Sequence, residues 1–240
     1  MISARISPEE ARATRLLIVN PNTNPRVTAN IRAEIARVIL PSTQARVVNP
    51  PEGPFSIESE ADRDAAEAHV LALLRGSLAA RHQAYVLAAF DDIALASARA
   101  FLRVPVVGAV EAGITAARTL ARRFTVVTTV ASALPGIRSQ LERYGVAQMA
   151  TARAAGIGVA QAAEGGGVAI ERLLETIARA VKNDGAEAIL LGSGGLTGSA
   201  DRLRPHVHIP IIDAVLAAAK LAEALAALAP RGSSDEPMPA

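Results

Sequence analysis

The chain has 240 residues, half of them hydrophobic and only 2% aromatic, and its formal net charge is +2. This is the composition of a folded globular protein, and it excludes disorder over most of the chain. The absence of cysteine excludes disulfides, cysteine-ligated zinc, iron–sulfur clusters and thiol nucleophiles.

The terminal segments, residues 1–13 and 230–240, are polar, and we expect both to be disordered. The first lacks the apolar core of a secretory signal, which favours a cytoplasmic location. The apolar runs elsewhere are far shorter than the roughly 20 residues that a membrane-spanning helix needs, so we predict no membrane association. Arginines are not interleaved with aromatic residues, so we predict no nucleic-acid partner.

Short apolar runs predict buried parallel strands, and helical segments lie between most of them. The predicted strands cover residues 16–19, 45–48, 85–89, 104–107, 124–127, 157–160, 188–191 and 209–212. The predicted helices cover residues 27–40, 60–74, 136–144, 168–182 and 214–228. The last helix is apolar on nearly every side, and we expect it to be buried at a domain or subunit interface. The alternation favours an α/β fold with parallel sheets.

The two halves of the sequence align with each other at nearly constant offset. Residues 17–20 match 125–128, residues 86–89 match 190–193, and residues 104–107 match 209–212, the last pair with a shared proline. We therefore predict two pseudosymmetric Rossmann-like domains with an active-site cleft between them. One domain comprises residues 14–110 and 214–229, and the other comprises residues 111–213.

The cleft is expected at the carboxyl ends of the strands, where parallel sheets bind ligands. Those ends are predicted at Asn20, Ala89, Thr128 and Ser193, with Ala89 and Ser193 on opposite sides of the ligand. Such a cleft suits 1,1-proton transfer, in which one group removes a proton from one face of a carbon and its counterpart delivers a proton to the other.

Three loops near these ends carry candidate binding groups. The polar turn 20–25 can cap the following helix or leave amides free for a ligand. The proline-rich loop 50–59 is a candidate lid or pocket wall. Glycines in segment 192–195 let backbone N–H groups approach an oxygen closely, which can stabilise an oxyanion.

Together these segments resemble the hydantoin racemase branch of the aspartate/glutamate racemase family, from about residue 16 to 225. The matching motifs are NPNT (20–23), GPFSIES (53–59), FDD (90–92), PVVGAVEA (105–112), RFTVVTT (123–129), DGAE (184–187), LGSGG (191–195) and PIID (210–213). The resemblance implies two α/β domains around a cofactor-independent active site that takes a small-molecule substrate, in a chain that forms a homo-oligomer.

The resemblance also identifies what is missing. In that family two cysteines act as the paired acid and base, and they fall at Ala89 and Ser193. Alanine has no proton to exchange, and a serine hydroxyl without an adjacent base is a poor base near neutral pH. The thiol mechanism therefore cannot operate in this chain.

The resemblance favours a neutral or weakly acidic cyclic amide, such as a hydantoin, because the first strand is followed by the neutral Asn20 and Asn22. Asp91 is ambiguous, since it can instead cap the next helix. The candidate substrate-binding residues are Asn20, Asn22, Phe55, Ile57, Phe90, Asp91, Thr128, Thr129, Gly194 and Gly195.

Three interpretations of the missing thiols stay open. The chain is a racemase disabled by replacement of both thiols, a divergent member that uses Ser193 for lyase, isomerase or hydrolase chemistry, or a binder without catalysis. A serine hydrolase is disfavoured because Leu191 stands where the G-x-S-x-G elbow needs glycine, and because His206 and His208 are predicted to face solvent. No metal site is predicted, because two histidines in an arginine-rich loop with Asp213 beyond are usually surface residues.

The sequence also suggests surface or structural roles for most of the other histidines and acids considered. His69 and His82 are predicted to lie on the surface. Glu111 is expected to have a structural role at a helix start, and the role of Asp213 stays open.

Overall fold

The computed structural model describes residues 13–228. The terminal segments predicted to be disordered lie outside these residues, except for Ala13. The strands are Thr14–Val19 (β1), Thr43–Val48 (β2), Ala84–Leu87 (β3), Val106–Gly108 (β4), Phe124–Thr128 (β5), Ala150–Ala154 (β6), Ala188–Leu191 (β7) and Ile211–Asp213 (β8). The helices are Pro25–Val38 (α1), Glu60–Gly76 (α2), Leu95–Phe101 (α3), Ala109–Leu120 (α4), Leu134–Arg143 (α5), Val159–Glu164 (α6), Gly167–Arg179 (α7), Ala200–Leu203 (α8) and Ala214–Leu228 (α9).

The strands form two parallel four-stranded sheets with the same topology. Their orders are β2-β1-β3-β4 and β6-β5-β7-β8. The registers also agree: Val19 lies beside Leu87 as Val127 lies beside Leu191. Likewise Leu87 pairs with Gly108 as Leu191 pairs with Asp213. The predicted α/β fold with two pseudosymmetric halves is confirmed, and the sequence offsets correspond to equivalent positions in the sheets.

The two halves exchange helices. Helix α9 follows β8 but packs on β1, β3 and β4, whereas α4 follows β4 and packs on β7 and β8. The two helices also pack on each other, and Gly113 permits the close approach, since a Cβ there would lie 2.7 Å from Leu190 Cδ1 and 3.1 Å from Ala214 Cβ. The predicted residue limits of the two domains stay a prediction.

Both sheets are covered on their two faces, which explains the continuous apolar runs of the central strands. Strands β1, β3, β5 and β7 are buried over nearly their whole lengths. Helix α9 buries one face, including Ala218, Ala219 and Ala222, while Leu228 at its end is 79% exposed.

One predicted strand is wrong. Residues 157–160 contain the start of helix α6, and the strand of that region is β6, Ala150–Ala154. β6 is an edge strand with a half-exposed ATARA sequence, so it lacks the apolar run expected of a buried strand. Ile157 is buried in the core of the second half, and Val159 is buried where helix α6 packs on α1 and on residues 194–196. Neither residue belongs to a sheet.

The surface position predicted for His82 is also wrong. Its side chain is 9% exposed and meets the edge of the Tyr85 ring, with the ring centroids 5.5 Å apart. Burial lowers the pKa of His82, and the nearby Arg15 and Arg46 lower it further. Within residues 13–228, no helix combines the length and the hydropathy needed to cross a membrane.

Candidate functional site

A small cavity of about 40 Å³ lies at the carboxyl ends of β3, β5 and β7, between the two halves. Ala89 and Ser193 both line it. Each follows the equivalent strand end by two residues, Leu87 in one half and Leu191 in the other. The lining comprises Asn22, Ile57, Ala88, Ala89, Phe90, Asp91, Thr128, Thr129, Val130, Ala133, Ile137, Val159, Gly192, Ser193, Gly194 and Gly195.

Two of the predicted site residues do not line this cavity. Asn20 is buried behind it, where its Nδ2 donates to Asn22 Oδ1 at 2.9 Å and to Thr28 Oγ1 at 3.0 Å. Asn20 therefore orients Asn22. Phe55 is 56% exposed on the loop above and is not among the lining residues. The other predicted residues are brought together, although their individual roles stay predictions.

Sequence reasoning missed the apolar wall of the cavity. Val130, Ala133 and Ile137 come from the connection after β5 and from α5, and Val159 comes from the start of α6. No signal marked these residues, because they are ordinary apolar side chains and Val159 fell in the wrongly predicted strand. Their position gives the cavity one side suited to a hydrocarbon substituent.

Besides its apolar wall, the cavity has several hydrogen-bond donors. Asn22 Oδ1 accepts from Asn24 N at 3.0 Å, and no described residue accepts a hydrogen bond from Asn22 Nδ2. Among the described residues, the backbone N–H groups of Phe90, Asp91 and Gly194 also have no acceptor. Unengaged donors at the edge of a cavity favour a ligand with carbonyl or enolate oxygens.

Among residues 13–228, no base is hydrogen-bonded to Ser193. Its Oγ accepts a hydrogen bond from Gly195 N at 3.3 Å, which leaves its own O–H free to donate to a ligand. His206 and His208 are both exposed in the loop before β8, as predicted. The described residues therefore leave the Ser193 O–H able to donate a hydrogen bond and place no base where it would activate the oxygen as a nucleophile.

Glycines set the floor of the cavity through packing. A Cβ on Gly192 would lie 2.4 Å from Val126 Cγ1, one on Gly194 would lie 2.9 Å from Ala88 O, and one on Gly195 would lie 2.8 Å from Val159 O. A larger residue at position 194 would press on Ala88 of the other half, whereas one at 192 or 195 would displace Val126 or Val159 within the second half.

The proline-rich loop forms hydrogen bonds to both halves beside the cavity. Pro54 O accepts from Thr23 N at 3.0 Å on the first half. Glu58 reaches the second half, where its backbone oxygen accepts from Ser132 Oγ at 2.8 Å and its Oε1 accepts from Val159 N at 3.2 Å. The cavity has room for only a few water molecules, so a ring-sized ligand requires it to widen, and Ile57 is the residue of this loop that lines it.

The adjacent aspartates after β3 differ in their contacts. Asp92 Oδ1 accepts from Val110 N at 3.0 Å and Oδ2 accepts from Tyr144 OH at 2.8 Å, so Asp92 caps helix α4. Burial raises the pKa of Asp92, and burial together with that carboxylate raises the pKa of Tyr144 to about 12. Asp91 caps no described helix, and its Oδ1 lies 3.7 Å from Arg63 Nη1.

Asp213 is the equivalent cap in the second half. Its Oδ1 accepts from Val215 N at 3.0 Å and Leu216 N at 3.2 Å, while Oδ2 accepts from Gly198 N at 3.0 Å. Burial raises the pKa of Asp213 to about 6 against these three donors. Asp213 is not among the cavity-lining residues. Its role, left open by the sequence, is structural, like that of Glu111, whose Oε1 accepts from Gly108 N at 3.2 Å.

The described part of the chain contains no group of three or more His, Asp or Glu side chains placed to hold a metal ion.

Comparison with known proteins agrees with this architecture. The family model for Asp/Glu/hydantoin racemases matches residues 16–222. A hydantoin racemase from Rhizobium meliloti is 37% identical over 209 residues, which is 87% of each chain. A hydantoin racemase from Paenarthrobacter aurescens is 34% identical over 220 residues, or 89% of this chain and 92% of the relative.

A solved structure leads to the same conclusion. The allantoin racemase from Klebsiella pneumoniae superposes with a TM-score of 0.87 at 36% identity, covering 90% of this chain and 89% of that one. The family resemblance noted in the sequence motifs is therefore confirmed over nearly the whole described chain. The chain belongs to the Asp/Glu/hydantoin racemase family.

Proposed function

We propose that the cavity binds a five-membered cyclic amide of the hydantoin class and holds its stereogenic carbon between Ala89 and Ser193. The observation that carries this proposal is that both residues line one cavity at equivalent positions of the two halves. The names of the hydantoin and allantoin racemases to which the chain is similar support the same substrate class.

The character of the cavity fits such a ring. Asn22 Nδ2, the Gly194 amide and the Ser193 hydroxyl are donors for ring carbonyls. The wall of Val130, Ala133, Ile137 and Val159 suits the carbon substituent. Because the carbonyl next to the stereogenic carbon becomes an enolate oxygen when the C–H proton leaves, donors that engage it lower the barrier to proton transfer. This chemistry uses protein groups and needs no cofactor.

The family reaction lacks its paired acid and base here. Ala89 cannot exchange a proton, and no base of the described part of the chain is hydrogen-bonded to the Ser193 hydroxyl. We infer that the chain as it stands does not carry out two-sided racemisation by thiols. The same observation favours a second candidate, a protein that binds the ring without turnover.

The experiment restores the thiols. An optically pure 5-substituted hydantoin is incubated in D2O with the chain, with the double variant Ala89→Cys/Ser193→Cys, and without protein, and deuterium at the stereogenic carbon and optical rotation are followed. We expect racemisation, measured as loss of optical rotation, in the double variant only. A control variant, Ala68→Cys/Ser139→Cys, places two thiols on exposed positions and should match the parent.

Calorimetric titration with the same hydantoin tests binding separately. If the parent does not bind the ring and the double variant does not racemise it, the proposed substrate class is wrong. Binding without turnover by the parent would support the second candidate. The expected cytoplasmic location and homo-oligomer stay predictions.

A further inference from the structure

We propose that Asp91 is the acid–base group of this cavity, and that its carboxylate removes the proton from the stereogenic carbon of the bound ring and returns one to the same face. This inference rests on the proposed function. It assigns chemistry to a site from which both thiols are missing.

The first argument is the composition of the cavity wall. Of the described residues that line it, Asp91 alone has an ionisable side chain. The remaining lining consists of apolar residues, glycines, an asparagine and hydroxyl side chains, none of which is a competent base near neutral pH. Asp91 follows Ala89 by two residues, so it lies on the side of the cavity where one thiol is absent.

The second argument is that Asp91 has no structural duty that occupies its carboxylate. Asp92 takes the cap of α4 and the Tyr144 hydroxyl. Within the described chain the Asp91 carboxylate accepts no hydrogen bond, and its charged neighbour is Arg63 at 3.7 Å. About a fifth of the Asp91 side chain is exposed. A carboxylate held by one long ion pair can turn towards a ligand at small energetic cost.

The backbone around Asp91 is fixed more firmly than its side chain. Gln140 Nε2 from the second half donates to Asp91 O at 3.1 Å. The next residues include two in the left-handed region, Asp92 at φ 49° and Ala94 at φ 63°. Non-glycine residues persist in this region when the surrounding structure imposes it, and such positions concentrate at functional sites.

Asp91 also connects the cavity to solvent. It lines both the cavity and an open groove of about 530 Å³ on its other side. A proton taken from a ligand can therefore exchange with water through the groove. The other charged or titratable groups that line this groove are Glu60, Arg63, Asp64, Glu67, Asp92, Arg99, Glu111, Arg143 and Tyr144.

The protonation of Asp91 agrees with this role. Burial raises its pKa to about 6, Arg63 opposes the rise, and Asp92 adds to it. A carboxyl with a pKa near 6 is ionised at neutral pH yet is a stronger base than an ordinary aspartate.

The proposed step is balanced. The C–H electron pair stays on carbon and delocalises onto the adjacent carbonyl oxygen, while the proton moves to the Asp91 carboxylate. Exchange with water replaces that proton by a deuteron in D2O, and the carboxyl returns the deuteron to the same face. The net change is replacement of C–H by C–D with release of HOD. Because no second group serves the opposite face, exchange should exceed inversion.

The experiment uses the full chain and (S)-5-benzylhydantoin in D2O. Loss of the C5–H signal by NMR measures exchange, chiral chromatography measures inversion, and calorimetry measures binding. We expect the parent to exchange the proton faster than the no-protein control, with exchange at least about tenfold faster than inversion. Asp91→Asn should lower the exchange by about 100-fold with binding retained, and Asp91→Glu should restore part of it.

Matched controls separate proton transfer from packing and charge. Asp64→Asn removes an exposed acid from the same groove and should change exchange less than twofold. Arg63→Gln removes the cation that lowers the pKa of Asp91, so the rise of exchange with pH should move to higher pH. A merely structural Asp91 would not produce this displacement.

The outcomes are distinguishable. Binding together with exchange that Asp91→Asn leaves unchanged, or binding with no exchange by the parent, overturns the role of Asp91 and leaves the proposed function intact. Absence of binding by the parent overturns the role of Asp91, and together with absence of racemisation by Ala89→Cys/Ser193→Cys it overturns the proposed function as well. A parent that inverts the ring as fast as it exchanges the proton also overturns the single-face step.

Discussion

Helices α4 and α9 are each capped by a carboxylate at the same place in their half of the molecule. The two carboxylates, however, come from non-equivalent positions in the sequence. In the second half the carboxylate belongs to Asp213, on the last residue of β8. In the first half the equivalent position is Gly108, and Asp92 from the loop after β3 supplies the carboxylate. A Cβ on Gly108 would lie 2.1 Å from Asp92 Oδ1. We therefore predict that Gly108→Asp and Asp92→Gly compensate each other.

The expected changes in the free energy of unfolding follow from these contacts. Gly108→Asp alone places two carboxylates in one volume and should lower the free energy of unfolding by about 3 kcal/mol or more. Asp92→Gly alone leaves the buried Val110 N–H without its acceptor and should lower it by about 2 kcal/mol. Gly108 has φ −88° and ψ 148°, which any residue adopts, so the double variant can cap α4 as Asp213 caps α9. It should come within about 1 kcal/mol of the parent, a coupling of about 4 kcal/mol.

Urea unfolding of the parent, both single variants and the double variant measures this coupling. Asp92→Asn is the control, because asparagine keeps an acceptor oxygen and tolerates the left-handed region that Asp92 adopts. A double variant as unstable as the sum of the two single variants would show that the two caps are not equivalent, and that the pseudosymmetry does not extend to these carboxylates.

Two further predictions concern the cavity floor and the pH dependence of stability. Gly192→Ala should lower the free energy of unfolding by about 1–3 kcal/mol because its Cβ would meet Val126. The control Gly167→Ala has open space around the added Cβ and should leave the stability unchanged. Thermal unfolding of both variants measures the difference. Burial raises the pKa of Asp213 to about 6, so the folded chain binds this proton more tightly than the unfolded chain, and stability falls as pH rises between about 4 and 6. Asp213→Asn should flatten this fall in urea titrations, and an unchanged slope would contradict the assignment.

Much of the fold could be predicted because its central strands are buried on both faces. The runs at β1, β3 and β7 are apolar, that at β5 is interrupted by Thr125, and the offsets between the halves predict the equivalent positions of the two sheets. The edge strand β6 escaped detection because its stability comes from other contacts. Arg153 Nε donates to Asp184 Oδ2 at 2.6 Å, and Thr125 and Thr151 hydroxyls lie 2.7 Å apart across the strands. Such pairs leave no apolar run.

The site was only partly predictable for a related reason. Strand ends located Ala89, Thr128 and Ser193, since parallel sheets bring these ends together. The sequence could not predict which of the two adjacent aspartates, Asp91 or Asp92, caps helix α4. The answer depends on which carboxylate reaches Val110 N in the folded chain. The burial of His82 could not be predicted, because this residue lies just before β3 and its exposure depends on the packing of the chain at the start of that strand.

The two halves share one fold, but they contribute different side chains to the cavity. Ala89 and Ser193 occupy equivalent positions, but one has no polar side-chain atom and the other has a hydroxyl that accepts a hydrogen bond from Gly195 N. Asp91 has Gly195 as its counterpart at the same offset, a residue with no side chain to titrate. If Asp91 transfers the proton as we propose, the second half contributes donors for the enolate oxygen and the first half contributes the base. Exchange without inversion is then the expected consequence of a duplicated fold whose halves no longer carry the same chemistry.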